Sequence, residues 1–427
     1  QAALLAGVSG LGEKGAAVVI SVSTHGTAIF VLPYGLPRLS DAKVRNVPSF
    51  TTTTLSNILL SQEDSWLPKY TEMQVGLRRA AQMARTGNHQ HSLRQLANVF
   101  SEWNTCVEAM LPHLWKSLIR HVDHALRNAG VPSGSPVNLI VPGRLSILPL
   151  HAAGQRKGGG WHTFSDDWEV SYVPSLQILA TLRRRAKRRS ARRENLLAVT
   201  DPLGDLHITT NPAVTAFEPS AVKELKGPHA SRQSFLKAVN ACRYASFFCH
   251  GIWDNSNPDN SALILAKGSR FGVKDLRTTR LDNCRLVALG ACQSGLTSIA
   301  RSPDEHHGLP AAFLQAGAAS VVATHWPMLT STIEPAIREL FQRQVRQGER
   351  PAAALCDISK EFRAGHLASP KPTSGFAAMT PFGDESIVGD NTEAVKIFKN
   401  DAQKDILAIL TDHTRPIHWA GTALYGV

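Results

Sequence analysis

The sequence predicts an α/β fold with a doubly wound, mainly parallel sheet flanked by helices. Three short apolar runs in the second half are each bounded by turn residues, which is typical of buried strands. They are residues 244–249 (YASFFC), 285–291 (RLVALGA) and 319–324 (ASVVAT). Helical stretches lie between or after them. This alternation indicates βαβ units, whose ligand sites lie at the carboxyl ends of the strands.

The first half begins with strands and continues with helices. Two apolar runs within residues 16–36, AVVISV and AIFVL, flank a Ser-Thr-His-Gly turn with hairpin chemistry. Apolar residues then recur at three- and four-residue steps across residues 74–129, which predicts helices. A buried strand is predicted at residues 137–141 (VNLIV), a helix from Pro174, and a further strand at residues 195–200.

The domain organisation follows from length and charge. A chain of 427 residues exceeds what one compact core usually holds, so two halves are expected. The strongly basic segment at residues 183–193 (RRRAKRRSARR) marks the boundary. We expect an N-terminal α/β half over residues 1–190 and a second half over residues 194–427. Within the second half, residues 365–412 are expected to form an insertion or mobile arm, because their Pro and Gly content differs from their surroundings.

Composition excludes several classes of protein. No apolar run approaches the ~20 residues of a membrane-spanning helix, and residues 1–10 show no secretion-signal pattern. The six cysteines lack the paired C-x-x-C spacing of zinc or redox sites, and so few cysteines fit a reducing compartment. We therefore expect a cytoplasmic protein with no membrane association, no metal and no cofactor.

The net charge of +12 raises the question of a nucleic-acid or acidic protein partner. Eight of the eleven residues in the basic segment 183–193 are Lys or Arg. A solvated linker between the halves is the favoured interpretation, since the segment has no interleaved aromatic residues for base stacking. Nucleic acid is expected only indirectly, through a complex.

Two reactive residues directly follow two of the predicted strands. His250 comes after YASFFC, and Cys292 comes after RLVALGA. The axes of neighbouring strands lie about 4.8 Å apart, so side chains at adjacent ends bring an imidazole close to a sulfur. A thiolate is the reactive form of cysteine, and a nearby imidazole serves as its base. The positions therefore predict a Cys–His dyad.

Small residues surround both side chains. Gly251 allows a sharp turn after His250, while Gly290 and Gly295 leave Cys292 uncrowded. We expect the backbone N–H groups of Gly251 and Cys292 to face a developing oxyanion. From residue types alone, a buried histidine and a buried cysteine that merely end two core strands are an equally good alternative.

The motifs around these residues resemble the CHAT family. Its histidine motif has His-Gly followed by a Pro, a Ser and an apolar strand, matched here by His250, Gly251, Pro258, Ser261, Leu263 and Leu265. Residues 291–295 (ACQSG) are similar to the family's A-C-x-S-G nucleophile motif. Further similar segments are residues 148–151, 171–175, 308–318 and 321–326, and residues 418–420, which are similar to the family's closing strand.

The resemblance implies a caspase-like fold, with a pseudo-caspase-like N-terminal half, and kinship with caspases, separases and metacaspases. It implies a hydrolase of the thiol protease class: a cysteine endopeptidase that cleaves a protein substrate through a thioester, with His250 as base and Cys292 as nucleophile. Relatives are joined to helical-repeat or other recognition modules, often in bacterial antiviral defence. The resemblance thus implies an activating module in cis or a regulatory protein in trans.

Five residues are candidates for the walls of a substrate pocket: Gly290, Asp304, Glu305, His325 and Trp326. Metacaspases carry an acidic residue at the position of Gly290, so a strict Lys or Arg preference is not expected. Asp304 and Glu305 alternatively belong to a solvated loop. His325 ends a predicted strand, where histidines are more often packed than catalytic, although it is also an alternative base.

Two rival functions remain open at this stage. One is a catalytically inactive caspase-like scaffold that holds nucleic acid or an effector protein through its basic segment. The other is a thioester enzyme such as an amidotransferase, whose flanking glycines are only partly matched. The polar residues 296–307 after the nucleophile suit a disorder-to-order switch, so we also expect the enzyme to be latent until a partner activates it.

Overall fold

The computed structural model describes residues 14–61, 64–188, 194–206, 208–254, 257–291, 295, 308–367 and 412–427. Its strands, in chain order, are β1 (Ala16–Ser23), β2 (Gly26–Pro33), β3 (Lys43–Val47), β4 (Pro136–Ile140), β5 (Gly154–Lys157), β6 (Gly160–Thr163), β7 (Glu169–Tyr172), β8 (Leu196–Thr200), β9 (Val222–Lys226), β10 (Tyr244–Phe248), β11 (Gly251–Ile252), β12 (Ala262–Ile264), β13 (Arg270–Gly272), β14 (Leu286–Leu289), β15 (Ser320–Thr324) and β16 (Thr422–Gly426).

Helices cover the two faces of the strands. In chain order they are α1 (Thr52–Leu60), α2 (Trp66–Arg85), α3 (His89–Leu114), α4 (Arg120–Asn128), α5 (Phe164–Asp167), α6 (Leu176–Arg188), α7 (Arg232–Val239), α8 (Val273–Leu276), α9 (Leu309–Ala316), α10 (Thr330–Arg346), α11 (Pro351–Arg363) and α12 (Pro416–Trp419).

One sheet of 11 strands runs through the protein, in the order β3-β2-β1-β4-β7-β16-β15-β14-β10-β8-β9. Most neighbouring pairs are parallel; the antiparallel pairs are β1–β2, β2–β3 and β15–β16. The predicted fold class, a mainly parallel α/β sheet flanked by helices, is confirmed. Smaller sheets are formed by β11-β12-β13 and by β5-β6.

The sheet order separates the two predicted halves cleanly. Strands from before the basic segment occupy one side, and strands from after it occupy the other. The two sides meet where β7 pairs with β16 through Tyr172 and Tyr425. The halves therefore share a continuous sheet, and their division into domains at residues 190 and 194 stays a prediction.

The predicted local elements agree with the structure. The first two strands form an antiparallel hairpin in which Ser23 pairs with Gly26. Gly26 has a φ of 133°, a conformation that favours glycine. The long helical region is divided after Arg85, where Gly87 has a φ of 77° and ends α2. A single π-helical turn, Trp115–Ile119, joins α3 to α4 shortly after Pro112, whose ring cannot donate a helical hydrogen bond.

The central strands are buried on both faces. Every residue of β8, β10, β14 and β15 is buried, as expected for parallel strands covered by helices on both sides. An aromatic cluster ties the helices of the first half to the second: the ring centroids of Trp66 and Trp103 lie 5.9 Å and 5.8 Å from that of Trp326. This packing holds α2 and α3 against the segment after β15.

The structure modifies one sequence prediction, and a second concerns residues that are mostly outside the described part of the chain. His418 and Trp419 belong to the short helix α12, and the closing strand β16 begins three residues later at Thr422. Most of the predicted insertion at residues 365–412 lies outside the described residues. Among the described residues, no helix has both the length and the apolar character needed to cross a bilayer.

Candidate active site

Three neighbouring parallel strands end at the same edge of the sheet. Strand β10 lies between β8 and β14, and its Phe247 is level with Val199 of β8 and Leu289 of β14. The carboxyl ends of these strands therefore lie side by side, which is where ligand sites form in open α/β sheets.

His250 stands just beyond the end of β10 and is partly accessible. Its side chain is 12% exposed. The Nε2 atom lies 2.9 Å and 3.0 Å from the two carboxylate oxygens of Asp205. A carboxylate only accepts hydrogen bonds, so Nε2 carries the proton and donates it. With the proton on Nε2, the Nδ1 atom, which has no hydrogen-bond partner among the described residues, offers a lone pair that can act as a base.

Asp205 belongs to a tight loop after β8, and sequence reasoning missed it. The loop is anchored by Asp201, whose N–H donates to the Phe248 carbonyl at 2.8 Å and whose side chain accepts from the Leu206 N–H at 3.1 Å. Asp201 has a φ of 42°, which a non-glycine residue rarely adopts. The anchored loop thus holds the Asp205 carboxylate at the edge of the sheet beside His250.

The remainder of the histidine motif builds a support behind His250. Its carbonyl accepts from the Ile264 N–H at 2.9 Å, and Gly251 pairs with Leu263 across β11 and β12. The buried hydroxyl of Ser261 accepts from the Asp254 N–H at 3.1 Å. These motif positions therefore stabilise the turn that follows the histidine.

The chain leaving β14 is tightly packed. The Gly290 N–H donates to the Phe247 carbonyl at 2.7 Å, and a Cβ added to Gly290 would lie 2.9 Å from that same oxygen. It would also lie 2.9 Å from the Phe248 ring and 3.0 Å from Ile337. A side chain at this position therefore requires its neighbours to move, which gives a physical reason for the glycine.

Cys292, Gln293 and Ser294 lie outside the described residues, but their flanks are well anchored. Thr324 Oγ1 donates to the Ala291 carbonyl at 3.2 Å, and the Gly295 N–H donates to the Thr324 carbonyl at 2.8 Å. The Tyr425 hydroxyl donates to the Gly295 carbonyl at 2.9 Å. A Cβ on Gly295 would lie 2.9 Å from the Thr324 oxygen, which explains the last glycine of the motif.

The candidate pocket residues have different environments. His325 is 1% exposed and Trp326 is 0% exposed. The Trp326 indole N–H donates to the Ile417 carbonyl at 2.9 Å, so this side chain is part of the core. Asp304 and Glu305 lie outside the described residues, and Gly290 is half-buried at the end of β14. The assignment of these residues to a pocket stays a prediction.

His325 differs from His250 in its chemistry. Within the described part of the chain neither of its ring nitrogens has a hydrogen-bond partner. Its ring stacks on that of His151, with centroids 5.9 Å apart. Burial, together with this second imidazole, lowers the pKa of His325 to about 3. His325 is thus held neutral and buried.

The other cysteines are shielded. Cys242, Cys249, Cys284 and Cys356 are buried and Cys106 is half-buried. Burial raises the pKa of Cys106 to about 11 and that of Cys356 to about 12. The pKa of Cys242 is raised well above its usual value, mainly by the hydrogen bond with Cys284 and secondly by burial. Cys249 lies in the core. Their raised pKa values make the thiols of Cys106, Cys242 and Cys356 poor nucleophiles near neutral pH.

The described residues hold an oriented histidine at a sheet edge, next to the strand that leads to a cysteine motif. Such an arrangement suits acid–base and nucleophilic chemistry. In the part of the chain that the structure describes, no cluster of three or more His, Cys, Asp or Glu is placed to hold a metal ion.

The fold is similar to that of separase. Two structures of the Saccharomyces cerevisiae separase–securin complex superpose on this chain with TM-scores of 0.53 and 0.54, at 11% and 10% sequence identity. They cover 100% of this chain, which spans 31% and 30% of the matched chains, about a third of their length. No curated protein sequence matches the chain.

The family comparison is more direct. The family model of the CHAT domain matches residues 108–427, which is well over half of the sequence and includes both motifs. The separase-like sheet agrees with the caspase-like fold that the motifs imply. The chain therefore belongs to the CHAT domain family.

Proposed function

We propose that this protein is a cysteine endopeptidase in which His250 is the general base and Cys292 the nucleophile. The observation that carries the proposal is the His250–Asp205 pair at the carboxyl end of β10. A buried histidine that only ends a core strand has no need of a carboxylate partner or of solvent access, whereas His250 has both.

The strand register supports the identity of the nucleophile. Residues of β10 are level with residues of β14 that are 42 positions further along the chain, as in the pair Phe247 and Leu289. His250 and Cys292 are separated by the same 42 positions. If the register continues past the strand ends, the two residues stand next to each other.

The proposed reaction proceeds by acyl transfer. His250 takes the thiol proton of Cys292, and the resulting thiolate attacks the carbonyl carbon of the peptide bond while the N–H groups of Gly251 and Cys292 stabilise the oxyanion. The C–N bond breaks as the protonated His250 gives its proton to the leaving amine. His250 then takes a proton from water, which attacks the thioester and releases the second product with the regenerated thiol. Asp205 acts on this cycle as a positioning residue, because it holds the imidazole ring through Nε2.

We further propose control by a protein partner. The matched separase structures contain securin, and the CHAT family implies an activating module in cis or a partner in trans. Moving a site from 1% to 99% competence requires the activator to favour the active state by about 5.5 kcal/mol. Activation should therefore be large and saturable. We also propose that the protein acts in the cytoplasm, in defence. We further propose that its two halves are separate domains.

Profiling the cleavage of a peptide library tests the activity. Wild-type protein, alone and with candidate partners, should release products that Cys292→Ala does not. Substrate preference should not be limited to Lys or Arg, since Gly290 leaves no acidic side chain at that position. Absence of cleavage under every activating condition would favour an inactive scaffold. Full activity of the isolated chain, unchanged by any partner, would contradict latency.

A further inference from the structure

A cleft of about 630 Å³ lies on the surface between α6, α8, α9 and the segment after α8. This volume is in the range of about 300–1,000 Å³ that is typical of ligand sites. Three arginines contribute to its walls: Arg185, Arg277 and Arg280. Neither the histidine–carboxylate pair nor the nucleophile motif contributes to the described lining of this cleft.

The charge on the walls is mainly positive and accessible. Arg280 is exposed and has no ion pair among the described residues. Arg277 contacts Asp259 at 2.6 Å, but its side chain is 59% exposed. Arg185 lies 3.8 Å from Asp282, the single carboxylate on the described lining, and is 32% exposed. Exposed ion pairs such as these are weak, so an incoming carboxylate can compete for the arginines.

Helices α8 and α9, which form two walls of the cleft, are joined along the chain to the segments that carry the proposed catalytic residues. Helix α9 begins at Leu309, just after Gly308, which itself lines the cleft at the end of the connection from Cys292. Helix α8 directly follows β13, the third strand of the small sheet that supports His250. A chain lying in the cleft would therefore touch elements joined to both sides of the candidate active site.

The lining favours a peptide over a nucleic acid. Val273, Leu276, Ala311 and Ala312 form the apolar part of the lining, and each has at most 8% of its surface exposed. No aromatic residue on the described lining offers a face for base stacking. These features match an extended peptide that carries both acidic and apolar side chains.

We propose that the arginine cleft is an exosite for an acidic segment of the protein substrate. The proposal rests on the endopeptidase function above and adds a substrate class to it. Binding at the exosite would tether the substrate to the protein and lower KM without entering the chemical step.

Binding is measured on the full chain carrying Cys292→Ala, so that the result does not depend on catalysis. The probe is a fluorescein-labelled peptide rich in Glu, Asp and Leu; its control has Gln and Asn in place of the acids. Fluorescence anisotropy should show the acidic peptide binding at least ~10-fold more tightly, with an affinity that falls as salt is added. Equal binding of the two peptides would overturn the exosite.

The double variant Arg277→Gln/Arg280→Gln should bind the acidic peptide about 10-fold more weakly. The control double variant Arg94→Gln/Arg120→Gln removes two exposed arginines elsewhere on the protein and should bind the peptide as tightly as before. Arg280→Glu alone should weaken the binding too, since this side chain supports no ion pair in the described structure. Equal losses in both pairs would overturn the assignment, as would tighter, arginine-dependent binding of a single-stranded oligonucleotide.

A kinetic readout separates the exosite from the catalytic function. For a cleavable peptide extended by the acidic segment, the cleft variants should raise KM about 10-fold with kcat unchanged. A fall in kcat with unchanged KM would overturn the exosite. Wild-type protein that binds the acidic peptide but never cleaves would refute the endopeptidase function while supporting acidic-peptide binding in the cleft.

Discussion

Two histidines follow parallel strands of the same sheet, and their environments are opposite. His250 follows β10, is 12% exposed and has the Asp205 carboxylate at 2.9 Å. His325 follows β15, is 1% exposed, and its ring nitrogens have no partner among the described residues. Position at a strand end is therefore not what makes a histidine suited to proton transfer. The accessible ring with an orienting carboxylate has that chemistry, and the buried ring contributes to packing.

The largest expected effect of this difference is on catalysis. His250→Ala and Cys292→Ala should each lower the rate of peptide cleavage by at least ~100-fold, and the double variant should lose about as much as either single one, because the two residues act as a unit. Initial rates, measured beside thermal unfolding curves that show intact folding, test this. Turnover retained by Cys292→Ala would refute the assignment.

The same comparison predicts a smaller role for the carboxylate. Asp205→Asn should lower kcat about 10- to 100-fold with little change in KM, because the amide no longer fixes the imidazole ring. Asp205→Glu should recover part of the loss. Asp41→Asn serves as the control, because Asp41 is an exposed aspartate between β2 and β3, far from the candidate active site in the strand order. A variant in which KM rises and kcat is unchanged would place Asp205 in substrate binding instead.

Acid stability should depend on His325. A histidine in the unfolded chain has a pKa near 6.5, whereas burial lowers that of His325 to about 3, so the folded state binds fewer protons between these values. Stability is complete above about pH 6.5 and falls by up to ~1.4 kcal/mol per pH unit as the pH drops towards the folded value.

His325→Leu replaces the ring by an apolar group and should flatten this dependence. Burial also lowers the pKa of His151 to about 4, so some acid sensitivity will remain in the variant. Unfolding in denaturant at a series of pH values measures the effect. An unchanged slope would show that His325 is accessible to protons in the fold. His325→Leu should lose much less peptide-cleavage activity than His250→Ala.

The smallest effect concerns Gly290, two positions before the proposed nucleophile. Gly290→Ala should destabilise the protein by about 1–3 kcal/mol, because the new Cβ meets Phe247, Phe248 and Ile337. Gly160→Ala is the matched control, since nothing lies within 4 Å of a Cβ there. Equal stability of the two variants would show that the end of β14 yields easily, and that an acidic side chain could be accommodated there.

Much of this arrangement could be predicted from the sequence. The apolar runs of β10, β14 and β15 mark buried strands, and His250 and Cys292 are recognisable because they directly follow two of them. The motif glycines are also readable, although only the structure shows that Thr324 and Tyr425 contact the chain around Gly295.

Asp205 could not be predicted in the same way. It lies 45 positions before His250, and their contact depends on β8 being the neighbour of β10, which periodicity does not reveal. The segment Asp201 to Asp205 has turn chemistry that any surface loop shares. Its position after a predicted strand was the available signal, and the sheet order was needed to interpret it. For the same reason, the burial of His325 became evident only once helices were placed over β15.

The central claim is that His250 activates Cys292, and alkylation tests it without any substrate. Iodoacetamide at pH 7 should modify Cys292 faster than the other five cysteines, whose shielding the structure describes. In His250→Ala the rate at Cys292 should fall while the rates at Cys106 and Cys356 do not change, as followed by mass spectrometry of digested protein. Equal labelling of all accessible thiols, or a Cys292 rate that is indifferent to His250, would contradict the account.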